Sequence, residues 1–319
     1  RANGVENHVS DIMKERVFEP LSIQKLANRT RAYLKIQDGC SQYCSYCIIP
    51  YARGPIRSRE PQEVVAEVKR LAENGFKEVV LTGIHVASYG KDRRDTSLLD
   101  ILKQVHEVEG IERIRFSSIE PNVVTEEFAQ TMAALPKVCD HFHLSLQSGC
   151  DKTLKEMNRK YDTEKYRQAV ATLRKYLPKV ALTTDIIVGF PGETEEDFRE
   201  SYAFAEEIGF AKIHVFPYSP KRGTPAAARK DQLLNAVKSE RSHTLIQLSD
   251  RMAADFLADA VGTDAEVLYE RAVGDGIYEG HTTNYMKVHG RSEADLTNRI
   301  AKTHITRAEG EMLFGDVEV

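Results

Sequence analysis

Three of the chain's five cysteines crowd into the run Cys40-Ser-Gln-Tyr-Cys44-Ser-Tyr-Cys47, spacing C-x3-C-x2-C. Three thiolates this close can each take one iron of a cubane [4Fe–4S] cluster and leave the fourth iron open. An open iron can chelate the amino and carboxylate groups of S-adenosylmethionine and pass it an electron. A structural zinc site would need a fourth Cys or His nearby, but the next His is His85 and the next Cys is Cys139. Cys139 and Cys150 stand apart and are expected to be buried or incidental thiols. An odd cysteine count with such crowding points to metal or redox chemistry, not to a disulfide framework.

The elements that must position these thiolates are strands alternating with helices. Six β-rich runs are expected, at Tyr33 to Gln37, Lys77 to Thr82, Arg113 to Ser118, His141 to Leu146, Val180 to Val188 and Lys212 to Phe216. The clearest helix opens at Pro61, a favoured first helical position, with Val64, Val65, Val68, Leu71 and Ala72 on one face. Asp162 to Tyr176 and Thr194 to Ile208 read the same way. Alternation at this spacing means parallel βαβ units, in an open partial barrel or a doubly wound sheet; periodicity alone leaves both open.

Barrel enzymes work at the C-terminal ends of their strands, and every polar or small cluster of interest falls there. The cysteines follow the first strand, Gly83 ends the second, and Glu120 follows the third. Ser145 and Gln147, read as alternating onto one face, follow the fourth; Asp185 to Gly192, with Val188, closes the fifth and Phe216 the sixth. Gly83 would let the backbone approach the methionyl end of the cofactor, Arg159 would pair with its carboxylate, and Phe190 would offer an aromatic surface to its adenine. With Tyr46 inside the cysteine run, the expected cofactor-binding set is Tyr46, Gly83, Glu120, Ser145, Gln147, Arg159, Asp185, Val188 and Phe216.

After Pro225 the texture changes. Residues from about Gln232 to Ala260 read as one long helix, and from Gly262 onward short alternating runs suggest a small OB-like β-barrel. The net charge of −4 excludes a global positive field, so nucleic acid would have to meet local basic patches. Arg53, Arg57 and Arg59 beside the cysteines, and Lys287 and Arg291 among the rings of the tail, are the expected RNA contacts. A hydrophobic fraction of 41% suits a soluble globular chain, and no apolar run approaches the ~18 residues of a membrane span, so a cytoplasmic protein with no membrane partner is expected. The chain begins at Arg1, and reads as a fragment of a longer protein.

The run Arg31 to Cys40, the cysteine triad, Ile48 to Arg59, Leu144-Ser-Leu-Gln-Ser-Gly149, Met157-Asn-Arg-Lys-Tyr161 and Asp185-Ile-Ile-Val-Gly-Phe-Pro-Gly-Glu-Thr194 resemble the radical S-adenosylmethionine methylthiotransferases. Tyr278-Glu-Gly-His-Thr-Thr-Asn-Tyr285 looks like part of a TRAM module. The resemblance implies an α/β fold, a partial (β/α)6 barrel followed by an all-β TRAM barrel. It implies a linker over 1–25, a radical core over 26–256 and an RNA-binding TRAM domain over 257–319. It also implies a [4Fe–4S] cluster on Cys40, Cys44 and Cys47, S-adenosylmethionine, and a second [4Fe–4S] cluster in an N-terminal domain missing here. The implied reaction inserts a methylthio group at C2 of N6-threonylcarbamoyladenosine in tRNA, with electrons from a flavodoxin-type donor. A ribosomal-protein aspartate as substrate, and a non-catalytic RNA-binding protein that keeps a structural cluster, remain alternatives. On this reading the tail is a separable RNA grip whose removal leaves cofactor cleavage nearly intact.

Overall fold

The structure, a computed structural model, describes residues 11–19 and 30–318, so most of the expected linker over 1–25 lies outside the described residues. Strand β1 (Arg31–Asp38) pairs in parallel with β3 (Glu78–Gly83) and β3 with β4 (Arg113–Phe116), while the two-residue β2 (Arg57–Ser58) closes antiparallel on the end of β1. A second parallel sheet holds β5 (His141–His143), β6 (Ala181–Val188) and β7 (Lys212–Pro217) in that order. Isolated parallel bridges at Ile114–Val138 and Ile119–Leu144 join the two sheets. The six parallel strands thus follow chain order without the reversal of a doubly wound sheet. That order makes the sheet a half-barrel.

Helices α1 (Ile49–Arg53), α2 (Pro61–Glu73), α3 (Leu98–His106), α4 (Glu126–Ala134), α5 (Asp151–Glu156), α6 (Thr163–Tyr176) and α7 (Glu195–Ile208) connect the strands. Strand alternation sends Ala32, Leu34 and Ile36 of β1 into the core, where Val64, Val68 and Leu71 of α2 also lie, and turns Tyr33, Lys35 and Gln37 to the concave side. Leu182, Ile186 and Val188 of β6 also enter that core, leaving Thr183, Asp185 and Ile187 on the concave face. Helix α7 starts on a full capping box between Thr194 and Asp197.

Helix α8 (Asn235–Ala258) lies along β7, where its Ser249 hydroxyl accepts the edge N–H of Ile213 at 2.9 Å and so blunts the open edge. Beyond it β8 (Asp264–Gly274), β9 (Ile277–Thr282), β10 (Lys287–Arg291), β11 (Arg299–Glu309) and β12 (Met312–Val317) close into a barrel. This barrel plugs the floor of the half-barrel, at the N-terminal ends of its strands. Arg31, Arg113 and Arg115 point down from β1 and β4. Arg113 donates to the Glu266 and His281 carbonyls at 2.8 Å, and Arg115 donates to the Thr283 carbonyl at 2.9 Å. The Tyr285 ring sits between His141 and His281, centroids 5.0 and 4.8 Å away, with the Arg31 and Arg115 guanidiniums over it. Tyr285 is therefore engaged in this seam, which corrects its place among rings available to stack on RNA. The expected separable grip meets this seam: without the small barrel Arg31, Arg113 and Arg115 would lose their partners Glu270, Glu266, His281 and Thr283.

Candidate functional site

The cysteine loop runs from the end of β1 across the rim of the half-barrel. Gly39 starts it with φ +72°, and a Cβ there would fall 1.8 Å from the Pro55 carbonyl oxygen, so only glycine lets the chain turn back on itself. Cys40 N–H then donates to the Gly54 carbonyl at 3.0 Å. The Met157-Asn158-Arg159 turn after α5 clamps the loop from the other side. Ser45 N–H donates to the Met157 carbonyl at 3.0 Å, Ser45 Oγ to the Glu156 carbonyl at 2.8 Å, and Asn158 Nδ2 to the Tyr43 carbonyl at 2.7 Å.

Cys40 and Cys47 are partly exposed, Cys44 is buried, and all three thiols are free. Burial first, then the neighbouring thiols, pushes Cys40 up to about 11; burial pushes Cys47 up as well. Among the described residues no three His, Cys, Asp or Glu side chains converge as a single ion requires. A cubane offers each thiolate its own iron, so three thiols on one short loop need not meet at a single point. The donor set fits the cluster.

Behind the thiols lies a charged chain. Arg159 Nη1 is 3.2 Å from Cys44 Sγ, its Nη2 donates to Glu120 Oε1 at 2.8 Å, and its Nε donates to the Tyr161 hydroxyl at 2.9 Å. Glu120 Oε2 in turn stands 3.0 Å from His85 Nε2. Burial pushes the Glu120 carboxyl up, but His85 and Arg159 outweigh it and hold it below the usual carboxylate range. Glu120 and Arg159 thus meet at the rim, with Arg159 against the Cys44 thiol. His85, Gln37 and Asp38 were missed as site residues. The signal was present: His85 follows Gly83 at a strand's C-terminal end, and Asp38 ends β1 just before the cysteines.

The other expected cofactor contacts divide. Ser145 is at the rim beside Ile119, whose carbonyl accepts its N–H at 2.9 Å. Gln147 follows with φ +72°, locked to β6 by its N–H to the Asp185 carbonyl at 2.8 Å and by Ile187 N–H to its own carbonyl at 2.9 Å. The simple alternation of Ser145 and Gln147 is therefore corrected: β5 ends at His143 and left-handed backbone intervenes. Phe216 is half exposed at the end of β7. Tyr46 packs against a small cluster of Met157, Phe190, Tyr218 and Ala226. The Val188 side chain is buried in the main core, so only its backbone can face a ligand, and Phe190, fully buried, has no face to offer an adenine. A Cβ on Gly83 would lie 2.7 Å from Gln37 Oε1 and 3.0 Å from the Gln37 Cβ and carbonyl oxygen, so that glycine already fits closely against Gln37 before any ligand arrives. Asp185 turns to His143, with Oδ2 3.2 Å from Nε2, below the rim.

The expected RNA arginines are also corrected. Arg57 and Arg59 are each only 5% exposed. Arg57 donates to the Arg53 and Pro55 carbonyls at 3.0 and 3.1 Å, and Arg59 lies 3.6 Å from Glu63. Arg53 is half exposed but held on Asp38 by two hydrogen bonds of 3.1 and 2.5 Å. Burial pushes Asp38 up; Arg53 and Lys35 more than reverse this and bring it to about 2. Arg57 and Arg59 thus brace the loop from within, which corrects them as RNA contacts, while Arg53 braces it through Asp38 and stays half exposed. Arg291 is exposed on the small barrel, and Lys287 lines a cavity at the seam.

Comparison with known proteins agrees with this geometry. Residues 34–205 match the Radical SAM superfamily model. The chain is 44% identical over 307 residues to the threonylcarbamoyladenosine tRNA methylthiotransferase MtaB of Bacillus subtilis (strain 168), covering 95% of this chain and 68% of that protein. It is 40% identical over 315 residues to the tRNA-2-methylthio-N(6)-dimethylallyladenosine synthase of Thermoanaerobacter sp. (strain X514), covering 97% of this chain and 66% of that protein. The chain thus spans about two thirds of the length of these curated relatives. Among solved structures, the radical S-adenosylmethionine methyltransferase TsrM of Kitasatospora setae superposes with a TM-score of 0.52 at 19% identity, over 61% of this chain and 38% of that one, a likeness of fold. The chain belongs to the radical S-adenosylmethionine superfamily, in its methylthiotransferase branch. Its cofactors are a [4Fe–4S] cluster and S-adenosylmethionine.

Proposed function

We propose that this chain is the catalytic core of a tRNA methylthiotransferase that places a methylthio group at C2 of N6-threonylcarbamoyladenosine. The observation that carries the reading is its 44% identity, over 95% of its length, to a protein named for that substrate. The three free thiols at the rim support it. Cys40, Cys44 and Cys47 would hold the cluster, which when bound supplies the electron that splits S-adenosylmethionine into methionine and a 5′-deoxyadenosyl radical. Glu120, Ser145 and Arg159 line the rim where the cofactor's polar groups would be held, and Arg159 would also steady the Cys44 sulfur. The plugged floor leaves the rim and the open side as approaches, which limits water around a reactive radical.

The proposal extends to a second [4Fe–4S] cluster as the sulfur source. Cys139 and Cys150 are buried and separate, so its ligands would come from sequence outside these 319 residues. A flavodoxin-type donor and a cytoplasmic setting belong to the same reading. No helix among the described residues is long and apolar enough to cross a membrane.

The test is anaerobic reconstitution with iron and sulfide, then S-adenosylmethionine and a strong reductant. About four irons per chain and 5′-deoxyadenosine are expected, and both should vanish when Cys40, Cys44 and Cys47 become Ala but survive Cys139→Ala. Zinc at full stoichiometry with no iron uptake would overturn the radical reading. Methylthiolated nucleoside made by this chain alone would remove the need for a second cluster.

A further inference from the structure

We propose that the fold holds the Arg159 guanidinium on the Cys44 sulfur as a fixed cation, which raises the potential at which a bound [4Fe–4S] cluster takes up its electron. The inference rests on the radical reading above and deepens it, from which residues hold the cluster to what sets its readiness to be reduced.

The contact between Arg159 and Cys44 is imposed by the backbone on both sides. The residues flanking Cys44 are each tied to the turn that carries Arg159. The Tyr43 carbonyl accepts Asn158 Nδ2 at 2.7 Å, and Ser45 N–H donates to the Met157 carbonyl at 3.0 Å. Tyr43 and Asn158 both turn through left-handed backbone, with φ +52° and +59°, which these hydrogen bonds hold in place. The side chain is fixed as firmly. Its Nη1 stands 3.2 Å from Cys44 Sγ, its Nη2 donates to Glu120 Oε1 at 2.8 Å and its Nε to the Tyr161 hydroxyl at 2.9 Å. That hydroxyl is itself seated on the Ser145 and Leu146 carbonyls, at 2.8 and 2.9 Å.

The Arg159 side chain is only 7% exposed, so water and salt screen its charge little. Among the described residues no side chain hydrogen-bonds Cys40 or Cys47, so the cation sits on one of the three sulfurs. Reduction adds negative charge to a cluster, and a cationic donor against a ligating sulfur favours the more negative state. The potential is therefore higher than three thiolates alone would give. Glu120 acts in the opposite sense. Ion-paired with Arg159 at 2.8 Å, it offsets part of that positive charge from the side away from the sulfur. The two residues pull the potential in opposite directions, a signature that general damage to the loop cannot imitate.

The experiment is a redox titration of the reconstituted chain without S-adenosylmethionine, with the reduced cluster followed by electron paramagnetic resonance. Arg159→Gln should lower the ratio of reduced to oxidised cluster at a fixed potential about tenfold, a midpoint ~59 mV more negative for one electron. Arg159→Lys, which keeps the charge without the planar fork, should recover part of that shift. Glu120→Gln should move the midpoint the other way, to more positive values. Iron content and melting curves of each variant show that cluster and fold are intact. An Arg159→Gln cluster with the parent's midpoint overturns the inference, as do shifts of the same sign in Arg159→Gln and Glu120→Gln. Should Arg159→Gln take up no iron, Glu120→Gln decides: a more positive midpoint supports the inference, and an unchanged or more negative one overturns it. A parent chain that takes up no iron overturns the radical reading beneath it.

Discussion

Asp38 shows how a residue with no catalytic chemistry can decide whether a site exists. It is buried where β1 runs into the cysteine loop, accepting Lys35 at 2.6 Å, Arg53 at 2.5 Å and the Gly39 N–H at 2.7 Å. Its lowered pKa records how strongly those partners favour the charged form. Asp38→Asn keeps the shape and removes the charge, leaving Arg53, Arg57 and Lys35 crowded without a counterion. The expected cost is about 2 kcal/mol, seen as a lower melting temperature, with faster loss of iron from the reconstituted protein. A variant that melts and holds iron like the parent would remove Asp38 from the site's scaffold. The cysteines were legible because ligand spacing is local along the chain. The places of Asp38 and His85 at strand ends were legible too, but their roles were not, because Arg53 and Glu120 lie 15 and 35 residues away and only the closed rim brings the pairs together.

Between elements, the seam where the small barrel meets the half-barrel depends on groups whose proton affinity the fold lowers. Burial raises Glu78, but Arg115 and Arg31 overcome it and bring it to about 2; burial also drops His141 from 6.5 to about 3. For both, the unfolded chain binds more protons than the folded one in the acid range, so stability falls as pH falls. The His141 contribution is complete above about pH 6.5 and is lost on the way down to about 3. The Glu78 contribution is complete above about 4.5 and is lost towards 2. Stability should therefore be level near neutrality and fall below about pH 6.5 by at most about 1.4 kcal/mol per pH unit per group, seen as a falling melting temperature. His141→Phe should flatten the curve between about pH 6.5 and 4.5; an unchanged slope in that variant would locate the sensitivity elsewhere. Strand and helix positions and the β-rich tail were legible, because periods of 2 and 3.6 are written along the chain; strand order was not, because a half-barrel and a doubly wound sheet share the same alternation. The seam was not. Arg31, Arg113 and Tyr285 read as ordinary charge and a stackable ring until the tertiary fold sets them face to face.

At the scale of the whole molecule the net charge is −4, and two cations on the small barrel's last long strand are paired. Lys302 is held by Asp264 and Glu318, and Arg307 by Glu309. Recognition must then rely on fit and on the spacing between surfaces. Helix α8 bears on that spacing. Near its start Arg241 Nη1 is 2.5 Å from Glu193 Oε1, whose other partner is the Gly189 N–H at 2.8 Å, and Lys238 Nζ donates to the Tyr218 carbonyl at 3.1 Å. Near its end Leu257 packs in the core of the small barrel. With 24 residues it spans about 36 Å. It is in effect a ruler, with one end fixed to the loop after β6 and the other to the outlying barrel, and rulers are sensitive to length. One alanine inserted near Ile246 would turn the two ends about 100° out of phase and lengthen the gap by about 1.5 Å. Seven inserted residues would nearly restore the phase but move the barrel about 10 Å away. If spacing governs recognition, both insertions should abolish tRNA binding, and the seven-residue one should do so while the helix content seen by circular dichroism rises. Binding that survives the longer insertion would mean that the distance between the two ends is not what the RNA measures.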